Sequence, residues 1–198
     1  KQEIYIDMIP AGDGLYLNSG DWTIQLRAVN VRLGSFQLYL PSSEARGVET
    51  YFLQPSAERT LTIPSTASRV ISVGAYQTGT DSVADFSGRG YYYINSADEF
   101  SDFGYVKPEL VAPGVGIRTI GPGDSYVNVS GTSFATPFVT GAAALLMEWG
   151  IVNGNDPYLY GEKLKSYLIR GARRLPGSTE RPDALTGWGA LCVADSLP

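Results

Sequence analysis

Apolar and polar positions alternate through the first part of the 198-residue chain. Ile4 and Ile6 alternate with Tyr5 and Asp7, and Leu15 and Leu17 bracket Tyr16. In residues 22–29 (WTIQLRAV), Trp22, Ile24 and Leu26 alternate with Thr23, Gln25 and Arg27. In residues 35–40, Phe36, Leu38 and Leu40 alternate with Gln37 and Tyr39. A period of two predicts strands, each able to bury one face in an antiparallel sheet. Short strands at close spacing suggest a sandwich or jelly roll. Four are few for a closed one, so residues 1–45 read as part of such a domain. The same shortage argues against an independent adhesion or carbohydrate-binding module.

The pattern changes near residue 60. Residues 69–76 (RVISVGAY) form a short β-branched run suited to a buried strand. Residues 108–120 (PELVAPGVGIRTI) predict two brief strands around an Ala112-Pro113-Gly114 turn. Residues 126–131 (YVNVSG) predict another strand, ending at Gly131. Residues 134–150 (FATPFVTGAAALLMEWG) are apolar on nearly every face. They predict a helix ~25 Å long in the middle of the protein, with Gly150 as its C-cap. A second helix is expected over 161–171. Leu164, Leu168 and Ala172 mark its inner face, with Lys163, Lys165 and Arg170 outward. Residues 186–191 (TGWGAL) read as a glycine-framed turn into a short last element. Strands alternating with helices predict an α/β layered domain over residues 46–198.

Composition narrows the partners. The net charge is −5 and the 43% hydrophobic, 18% charged make-up is that of an ordinary globular protein. There is no basic stripe, so nucleic acid is not an expected partner. The cluster Lys163, Lys165, Arg170, Arg173 and Arg174 reads as a helix end. A single cysteine, Cys192, excludes an intrachain disulfide. The apolar run 141–147 is too short to cross a bilayer, so no membrane span is expected. The opening KQEIYIDMIP has no initiator Met and reads as the start of a processed or truncated piece.

Candidate chemistry centres on residues 131–138 (GTSFATPF). Ser133 follows a strand, Gly131 permits a sharp turn, and a helix begins there. Free N–H groups and the positive end of the helix dipole converge at such a point. They would meet an oxyanion formed when Ser133 attacks a carbonyl. The plainer alternative is that Thr132 and Ser133 merely cap the helix. Pro137 favours the first reading, because a proline inside a helix costs ~3 kcal/mol and rule-breaking clusters at functional sites. GTSFA also fits a loose nucleophile elbow of an α/β-hydrolase, but that arrangement needs a histidine after the serine. The chain has no histidine at all. A triad in the order Asp, His, Ser would place both partners upstream.

Residues 131–146 (GTSFATPFVTGAAALL) resemble the serine block of subtilisin-like proteases. Gly131, Thr132, Ser133, Ala135, Thr136, Pro137, Val139 and Gly141 all fit that block. Residues 107–117 (KPELVAPGVGI) resemble the family's APG block, and 70–76 (VISVGAY) its VGA strand. Residues 86–90 (FSGRG) and 187–193 (GWGALCV) resemble two of its turns. Residues 22–41 are similar to the end of a β jelly-roll insertion in clostridial-type members. The resemblance implies an α/β fold: the C-terminal part of a subtilisin-like layered domain with a mostly parallel sheet, preceded by jelly-roll strands.

The implied activity is a serine endopeptidase of which this chain carries only the nucleophile; the family's Asp block, His block and oxyanion Asn block are absent from it. Ser133 would attack, with its own N–H and neighbouring Thr132 in the oxyanion block. Thr62 would floor the main specificity pocket, beside Ile63-Pro64, which matches a Tyr-Pro bond that is cis in well-known members. The implied partners are a peptide or protein substrate and the N-terminal half of the catalytic domain. The alternative is a subtilase-fold pseudoprotease acting as a binding or regulatory module, and the intact GTSFATP block weighs against it. No organic cofactor is implied. Asp81, Asp85, Asp98 and Asp102 read as solvated loop carboxylates, with calcium ligation as the alternative. Tyr91, Tyr92 and Tyr93 read as a strand or packing element, with a substrate or partner contact as the alternative. The implied location is extracellular, cell-envelope or spore-associated in a bacterium.

Overall fold

The computed structural model describes residues 4–10, 12, 17, 19–31, 34, 36–41, 47, 49–90, 106–178 and 180–197. The chain divides into two compact units, Lys1–Tyr51 and Phe52–Pro198. This division lies between 51 and 52.

In the first unit no strand occurs among the described residues. Thr23, Ile24, Gln25, Leu26, Phe36 and Leu38 line one open cleft. Trp22 and Phe36 stay 61% and 70% exposed. A period of two decides which side chains share a face. A strand also needs a neighbouring backbone to bond, and no strand pairing occurs among the described residues there. Leu15, Tyr16 and Ser35 lie outside the described residues.

The second unit carries the α/β domain. Its strands are β1 (Val73–Gln77), β2 (Ser82–Val83), β3 (Leu110–Pro113), β4 (Ile117–Ile120) and β5 (Tyr126–Val129). Its helices are α1 (Thr132–Met147), α2 (Gly161–Arg170) and the short α3 (Val193–Ser196). One sheet has the order β2-β1-β3, with β1 and β3 parallel and β1 and β2 antiparallel. Strands β4 and β5 form an antiparallel hairpin. Residues Leu110, Val111 and Ala112 of β3 are fully buried, which explains their unbroken apolar run.

Helix α1 packs across β1 and β3 through Ala135, Val139, Ala142 and Leu146. Leu159, Leu164 and Leu168 complete the core. The other faces of α1 are open: Phe138 is 43% and Leu145 54% exposed. The helix is thus apolar all round but buried on one side only. It continues as a π-helical turn, Glu148–Val152. The segment 132–152 is long and apolar enough to cross a membrane, with a mean hydropathy of 1.3. The expectation of no membrane span rested on the run 141–147, which is only part of this segment. Gly150 is not a C-cap. It is buried inside the π-turn, where a Cβ would stand 2.9 Å from Leu159 Cβ.

Helix α2 matches its sequence pattern except at Lys165. That side chain is buried, and its Nζ lies 2.7 Å from Glu109 Oε1. Lys107 Nζ also approaches Oε1 at 2.7 Å. The Ser72 N–H donates to Oε2 at 2.6 Å. Lys107 further donates to the Val70 carbonyl at 2.8 Å. Burial pushes the Lys107 ammonium below its ordinary value, with Glu109 pulling it back in part. A buried carboxylate is tolerable only when paired in this way.

The last turn closes β3 from the far side. Val111 N–H donates to Gly189 O at 3.0 Å, and Leu191 N–H to Val111 O at 2.9 Å. Asp183 organises that turn. Burial alone would raise its pKa. The Thr186 N–H and hydroxyl, the Ser178 hydroxyl and the Leu185 N–H outweigh burial and hold the carboxyl below its usual 3.8. A carboxylate with a lowered folded pKa stabilises above the unfolded value, and the contribution is lost as pH falls through the folded one. Asp183→Ala is therefore expected to be less stable than the unaltered protein at neutral pH. The difference should shrink as pH drops below 3.8. Urea denaturation at a series of pH values checks this.

Candidate active site

Three backbone bonds seat the start of α1. Gly114 N–H donates to Tyr76 O at 3.0 Å, at the C-terminal ends of β1 and β3. Gly131 N–H donates to Gly114 O at 2.8 Å, and Phe134 N–H to Gly131 O at 3.1 Å. Beside them, Gly116 N–H donates to Ser130 Oγ at 2.9 Å. Two glycines are required here. A Cβ at Gly114 would stand 2.6 Å from Ala75 Cβ and 3.2 Å from Ala135 Cβ. Gly131 has φ 156° and ψ 155°, a region that side-chain-bearing residues essentially avoid.

The N-cap of α1 is Gly131, and no side chain caps the helix. Thr132 and Ser133 are its first two residues. The capping alternative for these two residues is thus set aside. Among the described residues, the N–H groups of Thr132 and Ser133 and the Ser133 hydroxyl have no hydrogen-bond partner. Ser133 is exposed. An uncapped helix start with no acidic residue in its first turn keeps its positive character for an incoming anion. Pro137 lies within α1, and Thr136 Oγ1 donates to Thr132 O at 3.0 Å.

Thr62 lies elsewhere. It is exposed, and its carbonyl accepts the Ser65 hydroxyl at 2.6 Å and the Thr66 N–H at 3.3 Å. The Ser72 hydroxyl donates to Ser65 O. The Glu109 N–H donates to Ser72 O at 3.0 Å, at the N-terminal ends of β1 and β3. The turn carrying Thr62 is therefore fastened at the opposite end of this strand pair from Ser133. The Ile63-Pro64 bond is cis.

Both carboxylate oxygens of Asp81 are taken by the Arg173 guanidinium, at 2.8 and 3.0 Å. The Arg173 hydrogen bonds hold the Asp81 carboxyl below its usual value. Asp81 is thus an ion-pair partner. Asp85 is exposed, and no cluster of three ligating side chains occurs among the described residues. Asp98, Asp102 and Tyr91–Tyr93 lie outside the described residues.

Sequence patterning missed the Lys107–Glu109–Lys165 cluster. The signal was there: Lys165 stands three residues before Leu168 and seven before Ala172. That spacing puts it on the inner face of α2, whatever its charge.

A serine with an unbonded hydroxyl at an uncapped helix start, seated on an Ala-Pro-Gly turn, sits inside one continuous family match. Residues 45–189 match the subtilase family (Peptidase_S8), more than half of the chain. The chain belongs to the subtilase family. It is similar to serine protease AprX of Bacillus subtilis (strain 168), 29% identical over 71% of this chain and 32% of that protein. It is similar to the membrane-bound transcription factor site-1 protease of Homo sapiens, 36% identical over 60% of this chain and 11% of that protein. Among solved structures, the Clostridium perfringens CspB protease matches with a TM-score of 0.67 and 42% identity. That match covers 75% of this chain and 30% of the other. The chain thus spans about a third or less of these relatives. The match to CspB protease supports the α/β, subtilisin-like fold class.

The geometry makes Gly131 decisive for this subtilase site. Gly131→Ala is expected to cost about 1–3 kcal/mol in stability. It should also slow covalent labelling of Ser133, because the helix start must turn away from Gly114. Denaturant midpoints and labelling rates on the same full-length variant check both.

Proposed function

We propose that the protein carrying this chain is a subtilisin-type serine endopeptidase, with Ser133 as its nucleophile. The observation that carries this is the exposed Ser133 hydroxyl at the uncapped start of α1. Ser133 Oγ attacks the scissile carbonyl of a peptide substrate, and the developing oxyanion is met by the Ser133 N–H beside Thr132. The proton passes to a histidine oriented by an aspartate. The 198 residues hold no histidine, so that base comes from sequence outside them. The rest of the catalytic domain then covers the open faces of α1. The location we propose is extracellular or on the envelope or spore of a bacterium.

A fluorophosphonate probe tests this reading. Label is expected on Ser133 of the full-length protein, none on Ser133→Ala, and little on the 198-residue chain alone. Strong label on the isolated chain would overturn the account of where the base resides. A folded full-length protein that takes no label is a pseudoprotease instead.

We also assign Thr62 to the floor of the main specificity pocket. Its turn is fastened one strand-length from Ser133, about 13 Å for the four residues of β3. A threonine floor leaves room above it for a long or aromatic side chain. Thr62→Phe is expected to lower kcat/KM for substrates with such side chains by on the order of tenfold relative to alanine substrates. Steady-state kinetics on a peptide series with a single varied position checks this.

A further inference from the structure

We propose that Glu109 is a positioning residue for substrate selection: held between Lys107 and Lys165, it fixes the 62–72 turn that carries Thr62. The inference rests on the reading of Thr62 given above.

The turn has few fastenings of its own. Thr62 and Ile63 are exposed, and the turn's internal bonds run from Ser65 and Thr66 to Thr62 O and from Ala67 to Pro64 O. Thr60, just before the turn, exchanges two bonds with Arg89, both at 2.8 Å, and the attachment of residues 65–72 passes through Glu109 and the two lysines. Glu109 Oε2 accepts the Ser72 N–H at 2.6 Å, while the Ser72 hydroxyl reaches back to Ser65 O. Lys107 donates to Val70 O at 2.8 Å. Lys165 reaches Ser68 O and Val70 O, both at 3.4 Å. Glu109 Oε1 holds both ammonium groups at 2.7 Å. One buried carboxylate therefore aims two ammonium groups at one backbone segment and accepts that segment's own Ser72 N–H.

The cluster lies at the opposite end of β1 and β3 from the Gly131–Gly114 bond that seats Ser133. Nucleophile and pocket turn thus have separate fastenings. Loosening the Glu109 cluster should change which side chain is accepted without moving Ser133. Misplacement of a pocket wall acts through binding and orientation, and it reads out as a change in discrimination between substrates.

The test uses the full-length protein, the fluorophosphonate probe and peptide substrates differing only in the side chain beside the scissile bond. For Glu109→Gln, Ser133 labelling should stay within about twofold of the unaltered rate. KM for the preferred substrate should rise on the order of tenfold, and the preference over alanine should fall by a similar factor. Lys165→Met should shift the profile in the same direction, and Lys165→Arg should restore it. Should Glu109→Gln not fold, Lys165→Met decides by the same measurements, since Glu109 keeps Lys107. If labelling and kcat/KM for every substrate fall by one common factor, the cluster is merely structural and the inference is overturned. An unchanged preference in Glu109→Gln, with Thr62→Phe altering it, overturns this inference alone. An unchanged preference in Thr62→Phe overturns the reading of Thr62 and this inference with it.

Discussion

The Gly131 N–H bond to the Gly114 carbonyl is the contact on which the site depends. It joins the start of α1 to the turn after β3. It forms only because Gly114 lets Ala75 and Ala135 close to van der Waals distance around a missing side chain. The helix start is thereby fixed against the C-terminal ends of two parallel strands. Peptide dipoles, free N–H groups and an exposed hydroxyl then point outward from a rigid base. The chemistry of Ser133 follows from backbone placement more than from any side chain that touches it.

At the other end of the same strands the restraint is ionic. Glu109 sits among Lys107, Lys165 and the Ser72 N–H, all buried or nearly so. Such a cluster is not an efficient source of stability, since desolvation offsets much of its Coulomb energy. Losing one partner is nevertheless expensive, at about 3–5 kcal/mol, because a charge is left buried alone. Its value is directional. It forces residues 62–72, α2 and the entry to β3 into one arrangement, which apolar packing of the same volume would leave freer to slide.

Local pattern revealed the second unit well and the first poorly, for one physical reason. Strands β1, β3, β4 and β5 and helix α2 fall where periodicity and turn residues put them, because their partners lie within the chain. Residues 22–29 and 36–40 alternate just as clearly, yet form no strand among the described residues. Alternation specifies a face and leaves the bonding partner open. The site shows the same division. GTSFATPF placed Ser133 at a strand-to-helix junction from sequence. The cap alternative, however, needed backbone angles to decide, and it fell when Gly131 proved to be the N-cap. Lys165 was misjudged because charge was given more weight than spacing. Gly150 was misjudged because a π-turn can carry a helix past a glycine.

The separation of the two fastenings also constrains how the proposed enzyme divides its work. The backbone donors of α1 that would meet an oxyanion are set by contacts within residues 73–135. They need nothing from the missing base to take their positions. A histidine arriving from elsewhere has only to reach an exposed hydroxyl that no neighbour among the described residues has claimed. Electrostatic stabilisation of the transition state is usually the largest single contribution to such catalysis. On this arrangement the backbone share of it would be preorganised before the base docks, while the side chain of the family's oxyanion Asn block lies outside this chain. Attack would then be gated by proton removal from Ser133 and by arrival of that Asn, not by placement of the helix start.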